Sequence, residues 1–286
     1  MSQIASPSSS GAGAEGSSAR PAGPRLARAT LVIGLLITVT VLTANVWLSA
    51  RLTQDLRRES REHAFWVVCQ PGHSAAERAG AFLQLAAAGN KEWRSADLRN
   101  LNLAGVMLAG ADLTLTLFNN ANLAGANLAG ARALKGSFSQ ADLSGADLSE
   151  ADFSETQLYR ANLGQTRLRR AKLRAAYLQE VQAEKADLVM ADLSDAVCLM
   201  ANFTGARLNG ANLSGANLEA AILRGANLSL ARMDGANLKD ADFTNANWWR
   251  SLGLSLEQIN LLSKKFAPAT NAEPALKLDY DKWANS

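Results

Sequence analysis

Between Ala96 and Arg250 the chain repeats itself every five residues without a break in frame. With the Leu-like residue of each unit as its centre, the centres run through Leu98, Leu103 and Leu108 to Trp248; 21 of the 31 are Leu and five are Phe. The position two before the centre is Ala in 24 units, with Asp or Asn commonly between the two. A period of five matches neither 3.6 nor 7, so on a helix or coiled coil these residues would spread around the whole surface. A helix is thereby excluded. Fixed-period self-similarity fits a solenoid whose coil holds a whole number of fives. No Pro occurs between Pro71 and Pro268, which suits coils that must all offer ladder hydrogen bonds to their neighbours.

Units such as ANLAG at 121–125, ADLSG at 141–145 and ADFSE at 151–155 resemble the pentapeptide-repeat family, over a little more than half of the chain. The resemblance implies an all-β solenoid: a right-handed quadrilateral parallel β-helix of about eight coils, one pentapeptide per face, with the centre and the residue two before it pointing inward. Neither the four faces nor the hand follows from the spacing.

If four units make a coil, residues twenty apart are neighbours. One inward column then reads Leu98, Phe118, Phe138, Leu158, Leu178, Cys198, Leu218, Leu238, while Ala133 adjoins Phe153 and Ala183 adjoins Phe203. Large beside small at constant volume is what a close-packed core needs. Outward, one column reads Asp112, Arg132, Asp152, Lys172, Asp192 and another Asp147, Arg167, Asp187, Arg207. At a strand spacing of about 4.8 Å these alternating signs predict ion-pair ladders that set register more than they stabilise, at ~0–1 kcal/mol per exposed pair.

The remaining chain divides by composition. Residues 1–28 are rich in Ser, Gly, Ala and Pro and read as a disordered tail. Ala29 to Ala50 carry no charge and, as a helix of roughly 33 Å, would span a bilayer, with Trp47 near the far interface. A signal peptide would have a shorter apolar core and a small-x-small site; Ala50 has Leu48 two before it and Ala44 has Leu42. A retained single-pass anchor is the favoured reading, the expected location being a bacterial inner membrane. Three Arg precede the span (Arg20, Arg25, Arg28) and four follow closely (Arg51, Arg57, Arg58, Arg61), so the side carrying the repeats stays open. Residues 51–72 read as a juxtamembrane helix and linker. In 73–95, Ser74 with Glu77 makes a capping box for a helix whose Ala79, Phe82, Leu83 and Ala86 share a face that can cover the first coil, helped by Trp93. In 251–286, Ser255 with Gln258 opens a helix placing Leu256, Ile259, Leu262 and Phe266 over the last coil, where Trp248 is the plug, and the tail after Pro268 reads as loosely ordered. Such covers prevent end-to-end pairing of open strand edges.

The chemistry-bearing residues are sparse. His63 and His73 lie outside the repeats without partners at ligand spacing, so no metal, no cofactor and no catalytic residue are expected, and no enzyme. Cys198 falls at an inward centre, and a disulfide to Cys69 would have to pull it from the core. The run Arg160, Arg167, Arg169, Arg170, Lys172, Arg174 invites a nucleic-acid reading, but most of these cations have an acidic column neighbour; only Arg169 and Arg174 lack one, and nucleic acid is an unlikely partner. Some members of the family resemble double-stranded DNA in shape and negative charge and bind DNA gyrase. That alternative is disfavoured here, because residues 96–250 hold 16 acidic and 15 basic side chains and an anchor would keep the chain from chromosomal topoisomerases.

The stronger lead is an outward apolar face. Leu117, Tyr159, Tyr177, Val197, Leu199 and Met200 stand where Asp, Asn, Ser or Gly is usual, on the side that carries Phe118 and Phe138. Grouped apolar residues of this kind mark a contact with another protein or another copy, or else a surface covered by the chain's own caps. The expectation is a membrane-anchored scaffold for protein–protein interaction or assembly.

Overall fold

A computed structural model describes residues 43, 46–51, 64, 67–68, 70, 72–269 and 272–286. The expected tail, most of the expected span from Ala29 to Ala50, and most of the juxtamembrane segment lie outside these residues. Two compact units are present, Met1–Glu59 and Ser60–Ser286. In the first, residues 43 and 46–51 are helical. Among the described residues no helix is long and apolar enough to cross a membrane.

The second unit is built on the five-residue period. Parallel bridges join each paired residue to the one twenty further on, from Glu92 with Asp112 to Arg232 with Leu252, and each run of five contributes one ladder. Four ladders therefore wall a four-sided coil. Each rung is hydrogen-bonded to both neighbours: Asp142 N–H donates to Ala121 O at 2.9 Å and Leu123 N–H to Asp142 O at 2.7 Å. Between faces the chain turns through a bond from the residue three past the centre back to the centre's carbonyl, as from Ala121 N to Phe118 O at 2.9 Å. The residue two past the centre takes positive φ at every corner from Ser95 to Asn245, whether or not it is Gly. The Asp or Asn before the centre has a local task. Its side chain accepts the N–H two residues on, as Asp142 Oδ1 does from Ser144 at 3.0 Å, satisfying a donor the ladder leaves free.

The interior is filled as the columns predict. Leu143 and Leu163 are buried. Phe118 stacks on Phe138 at 4.7 Å between centroids, and Phe153 follows at 5.0 Å. Gly136 makes room for this stack, since a Cβ there would lie 3.2 Å from the Phe138 ring and 3.0 Å from Ala133 O. Inward Thr residues are tolerated because each hydroxyl donates to a carbonyl, as from Thr116 to Trp93 O at 2.7 Å and from Thr166 to Leu143 O at 2.8 Å.

Helix α1 (Ala75–Ala87) begins at the Ser74–Glu77 capping box and closes the first coil. Phe82 is buried against Trp93, with ring centroids 4.1 Å apart. The other expected contact shifts: Leu85, with Ala79 and Ala86, is buried, and Leu83 is exposed. At the far end Trp248, in a short 3-10 turn (Trp248–Arg250), plugs the last coil. Helix α2 (Leu256–Phe266) starts at the Ser255–Gln258 box and buries Leu262, whereas Leu256 points to solvent at 80% exposure. The segment beyond Pro268 differs more. It forms helix α3 (Pro274–Ala284), whose Tyr280 and Trp283 pack on Trp248 at 6.0 and 5.5 Å and whose Asp279 bonds Trp249 Nε1 at 2.8 Å and Arg250. Those aromatic and charged contacts supply the stability that its weakly amphipathic sequence conceals.

Both ends of the ladder are finished by side chains. In the repeat pattern Asp97 O would accept from the backbone nineteen residues back, as Leu117 O does from Leu98 N; here the Arg78 guanidinium of α1 donates to it. Ala236 O would accept from a further coil; here Gln258 Nε2 donates to it at 2.9 Å while the same side chain's Oε1 caps α2.

Candidate interaction face

On the face that carries Phe118 and Phe138, one unbroken outward ladder runs Asp97, Leu117, Ser137, Gln157, Tyr177, Val197, Asn217, Asn237. This arrangement divides the six apolar residues singled out by sequence. Tyr177 and Val197 are bridge partners on successive coils, and Leu199 and Met200 continue the Val197 rung to its corner. Leu117 stands apart, separated from Tyr177 by Ser137 and Gln157. Tyr159 is drawn into a polar cluster: its hydroxyl donates to Glu180 Oε1 at 3.3 Å, and Arg160 lies 4.9 Å over its ring while bonding Glu180 Oε2 at 2.7 Å. The contiguous apolar element is therefore Tyr177, Val197, Leu199 and Met200, with Tyr177 about half exposed at 47% and Met200 at 55%. The described caps contact the ends of the rod, so none of them covers this element.

Three large apolar side chains at other corners escaped the sequence reading: Leu115, Met190 and Leu230 are all exposed, and the last two share a column on the opposite side. Their signal was available, since a Gly-favouring corner position filled by Met or Leu is as anomalous as an apolar residue on a face.

The charges arrange differently from the predicted ladders. In the Asp147 column Arg167 pairs with Asp147 at 3.6 Å and Arg207 with Asp187 at 3.1 Å. In the Asp112 column Arg132 and Lys172 make no ion pair among the described residues, and Asp152 instead accepts from Ser154 N at 3.1 Å and Oγ at 2.7 Å. The turn bond does not by itself exclude a cation, since Asp147 accepts from Ser149 N at 3.0 Å through Oδ1 while its Oδ2 takes Arg167. The basic run is nonetheless neutralised more fully than columns suggested. Arg169 reaches Asp187 at 3.4 Å and Arg174 reaches Asp195 at 3.7 Å, both diagonally, beside Arg160–Glu180 and Arg170–Glu150. Of this run only Lys172 makes no ion pair among the described residues.

Among the described residues no group of three or more His, Cys, Asp or Glu is placed to hold a metal ion. Cys198 is fully buried, and burial pushes its thiol up to about 12, so it is not a thiolate at neutral pH.

Similarity to known proteins agrees with the geometry. Pentapeptide repeats, in 8 copies, are matched over residues 96–132, 137–174, 171–210 and 211–247. Among solved structures, HetL, a pentapeptide-repeat protein involved in heterocyst differentiation regulation in Nostoc sp. PCC 7120, is 31% identical over 58% of this chain and 95% of its own, with a TM-score of 0.34. QnrB1, a plasmid-mediated fluoroquinolone resistance protein, is 18% identical over 57% of this chain and 96% of its own, at 0.40. A pentapeptide-repeat protein of the Arabidopsis thaliana thylakoid lumen is 26% identical over 63% of this chain and 90% of its own, at 0.19. No curated protein matches the chain. With its five-residue frame, four-walled coils and matched repeats spanning residues 96–247, the chain belongs to the pentapeptide-repeat family, whose members adopt a right-handed quadrilateral β-helix and are generally non-enzymatic.

Proposed function

We propose that this protein is a non-enzymatic, membrane-anchored scaffold that engages another protein chain through Tyr177, Val197, Leu199 and Met200. The observation that carries the reading is the run of apolar side chains on consecutive rungs, Tyr177 and Met200 exposed and Val197 and Leu199 half-buried, on a wall whose backbone bonds are already satisfied within the rod. A wall of this kind binds through its side chains, and burial of large apolar ones contributes most of the energy of such contacts. Ala29 to Ala50 would hold the rod at a bilayer, since 22 uncharged residues are sufficient to cross it as a helix.

Val197→Asp combined with Leu199→Asp tests the face. Circular dichroism and the melting curve should stay unchanged while association measured on detergent-solubilised full-length chain is lost. A melted fold would mean that the face is internal, and retained association would place the contact elsewhere. Deletion of residues 29–50 should move the chain from the membrane fraction to the soluble one; persistence in the membrane would remove the anchor from the proposal.

A further inference from the structure

Tyr177 has an oppositely charged residue on either side, Arg174 three before and Glu180 three after. One rung earlier the signs are reversed: Glu155 stands two before Gln157 and Arg160 three after it. The two rims of the face thus carry a checkerboard of alternating charge, with the apolar rungs between and above. Each of these charges has a partner along its own rim: Glu155 with Lys135 at 3.3 Å, Arg160 with Glu180 at 2.7 Å, and Arg174 with Asp195 at 3.7 Å. None of these pairs crosses the face.

A two-fold axis parallel to the rod, lying in the plane of contact, lays the left rim of one copy against the right rim of the other at the same rung. Glu155 then meets Arg160 of the copy, Arg174 meets its Glu180, and Tyr177 and Val197 lie on the axis against themselves. Asp195 meets Leu199 and Met200 without a like charge opposite. Further along, Asp234 faces both Lys239 and Asp240, which is neutral on balance. An antiparallel pairing that matched the two charged rungs would set Val197 against Ser137. At the first rung Arg94 faces Arg99 of the copy, each already paired within its own chain, with Asp112 at 3.1 Å and Asp97 at 2.7 Å; around Tyr177 and Val197 charge and apolar rungs coincide only in the parallel arrangement. We infer that the occupant of this face is a second copy of the same chain, packed side by side and parallel, with Arg174–Glu180 and Glu155–Arg160 contacts flanking a central Tyr177–Val197 seam.

This inference rests on the contact-face reading above and names its partner. The contact is narrow: the ladder from Asp97 to Asn237 covers seven spacings, about 34 Å. Two chains held in one membrane by their N-terminal segments would meet in the same orientation, and confinement to the membrane raises their effective concentration.

The test uses full-length chain in detergent, read by sedimentation. Arg174→Glu alone opposes two carboxylates at both symmetric contacts, and Glu180→Arg alone opposes two guanidinium groups. Each should weaken the dimer at least tenfold, and an equimolar mixture of the two variants should restore it, because a mixed pair has opposite signs at both contacts. Restoration in the mixture cannot arise from a change in the fold of either chain. Gln157→Cys in a Cys69→Ser background should cross-link to itself. Failure of Gln157→Cys to cross-link to itself, with cross-linking only when it is mixed with Tyr177→Cys or with Asn217→Cys, would indicate antiparallel rods and overturn the proposal. A wild-type chain that sediments as a monomer, or a mixture no tighter than its components, overturns it equally. If the wild type is monomeric but the Val197→Asp, Leu199→Asp pair still abolishes capture of a different protein, the scaffold reading survives and the self-association does not.

Discussion

The middle of the rod and its two ends are built on the same period but turn their corners differently. In the first and last coils Gly holds many of the positive-φ positions, at Gly105, Gly110, Gly125, Gly130 and Gly145, then Gly205, Gly210, Gly215, Gly225 and Gly235. From Glu150 to Met200 eleven successive corners have none: Glu150, Glu155, Arg160, Gln165, Arg170, Ala175, Glu180, Lys185, Met190, Asp195 and Met200 all sit at φ between 53 and 60. A side chain with a Cβ is strained there by roughly 1–2 kcal/mol. The middle therefore forgoes stability that Gly would supply, and it places charged or large side chains at those corners. These coils also hold the exposed Tyr177 and Met200 and the half-buried Val197 and Leu199. The ends are shaped for closure, the middle for what it presents outward.

The contrast concerns corners only, so the core should be equally intolerant everywhere. Leu163→Asp in the middle and Leu218→Asp toward the end should each cost more than about 4 kcal/mol and abolish the cooperative melt; a normal melting curve for either would break the shared register. The next effect belongs to the end. The Asp279 carboxyl is held down to about 2 by the Arg250 guanidinium and the Trp249 N–H. Asp279→Asn should loosen α3 by about 1–2 kcal/mol, seen as a shift in tryptophan fluorescence with the middle of the rod intact. Because the folded pKa lies below the ordinary value of 3.8, this contribution is present above pH 4 and is lost as pH falls toward 2. The fluorescence shift should therefore appear on acidification in the wild type and be weak in the Asn variant. Gly215→Ala, where a Cβ would approach Asp195 Oδ1 to 2.6 Å at φ +69, should destabilise by about 1–2 kcal/mol in chemical denaturation. The smallest and most diagnostic change is Ala175→Gly. With no functional group to lose, it should stabilise the middle by up to about 1 kcal/mol. A loss of stability there would mean that the middle corners are not strained and would remove the contrast.

The sequence displayed the interior of the rod with little ambiguity, because a five-residue frame with one inward Leu fixes which side chains are buried; the twenty-residue register followed only from the resemblance to a four-sided family. It displayed the ends less well. Phe82 was legible from its helical face, but Leu83 and Leu85 lie on either flank of that face, and only the tilt of α1 on the first coil selects Leu85. Helix α3 was hidden because its stability comes from Trp248, Trp249 and Arg250, some thirty residues away. The charge columns misled at Lys172 and Arg132, which make no ion pair among the described residues although Asp152 stands between them. Of the candidate face, the Tyr177–Met200 group could be read from its departures from the repeat. The involvement of Tyr159 with Glu180 could not, because it depends on how a phenol leans at a corner.

The stand-ins at the two ends bear on how such a molecule can change size. Arg78 and Gln258 each supply one bond that a further circuit would otherwise have made, and neither touches more than the single coil beside it. Nothing in either terminus therefore measures how many turns lie between them. An in-frame gain or loss of twenty residues would move one lid along the axis without altering what it rests on, so height is a quantity that this architecture can vary freely while each lid keeps its seat.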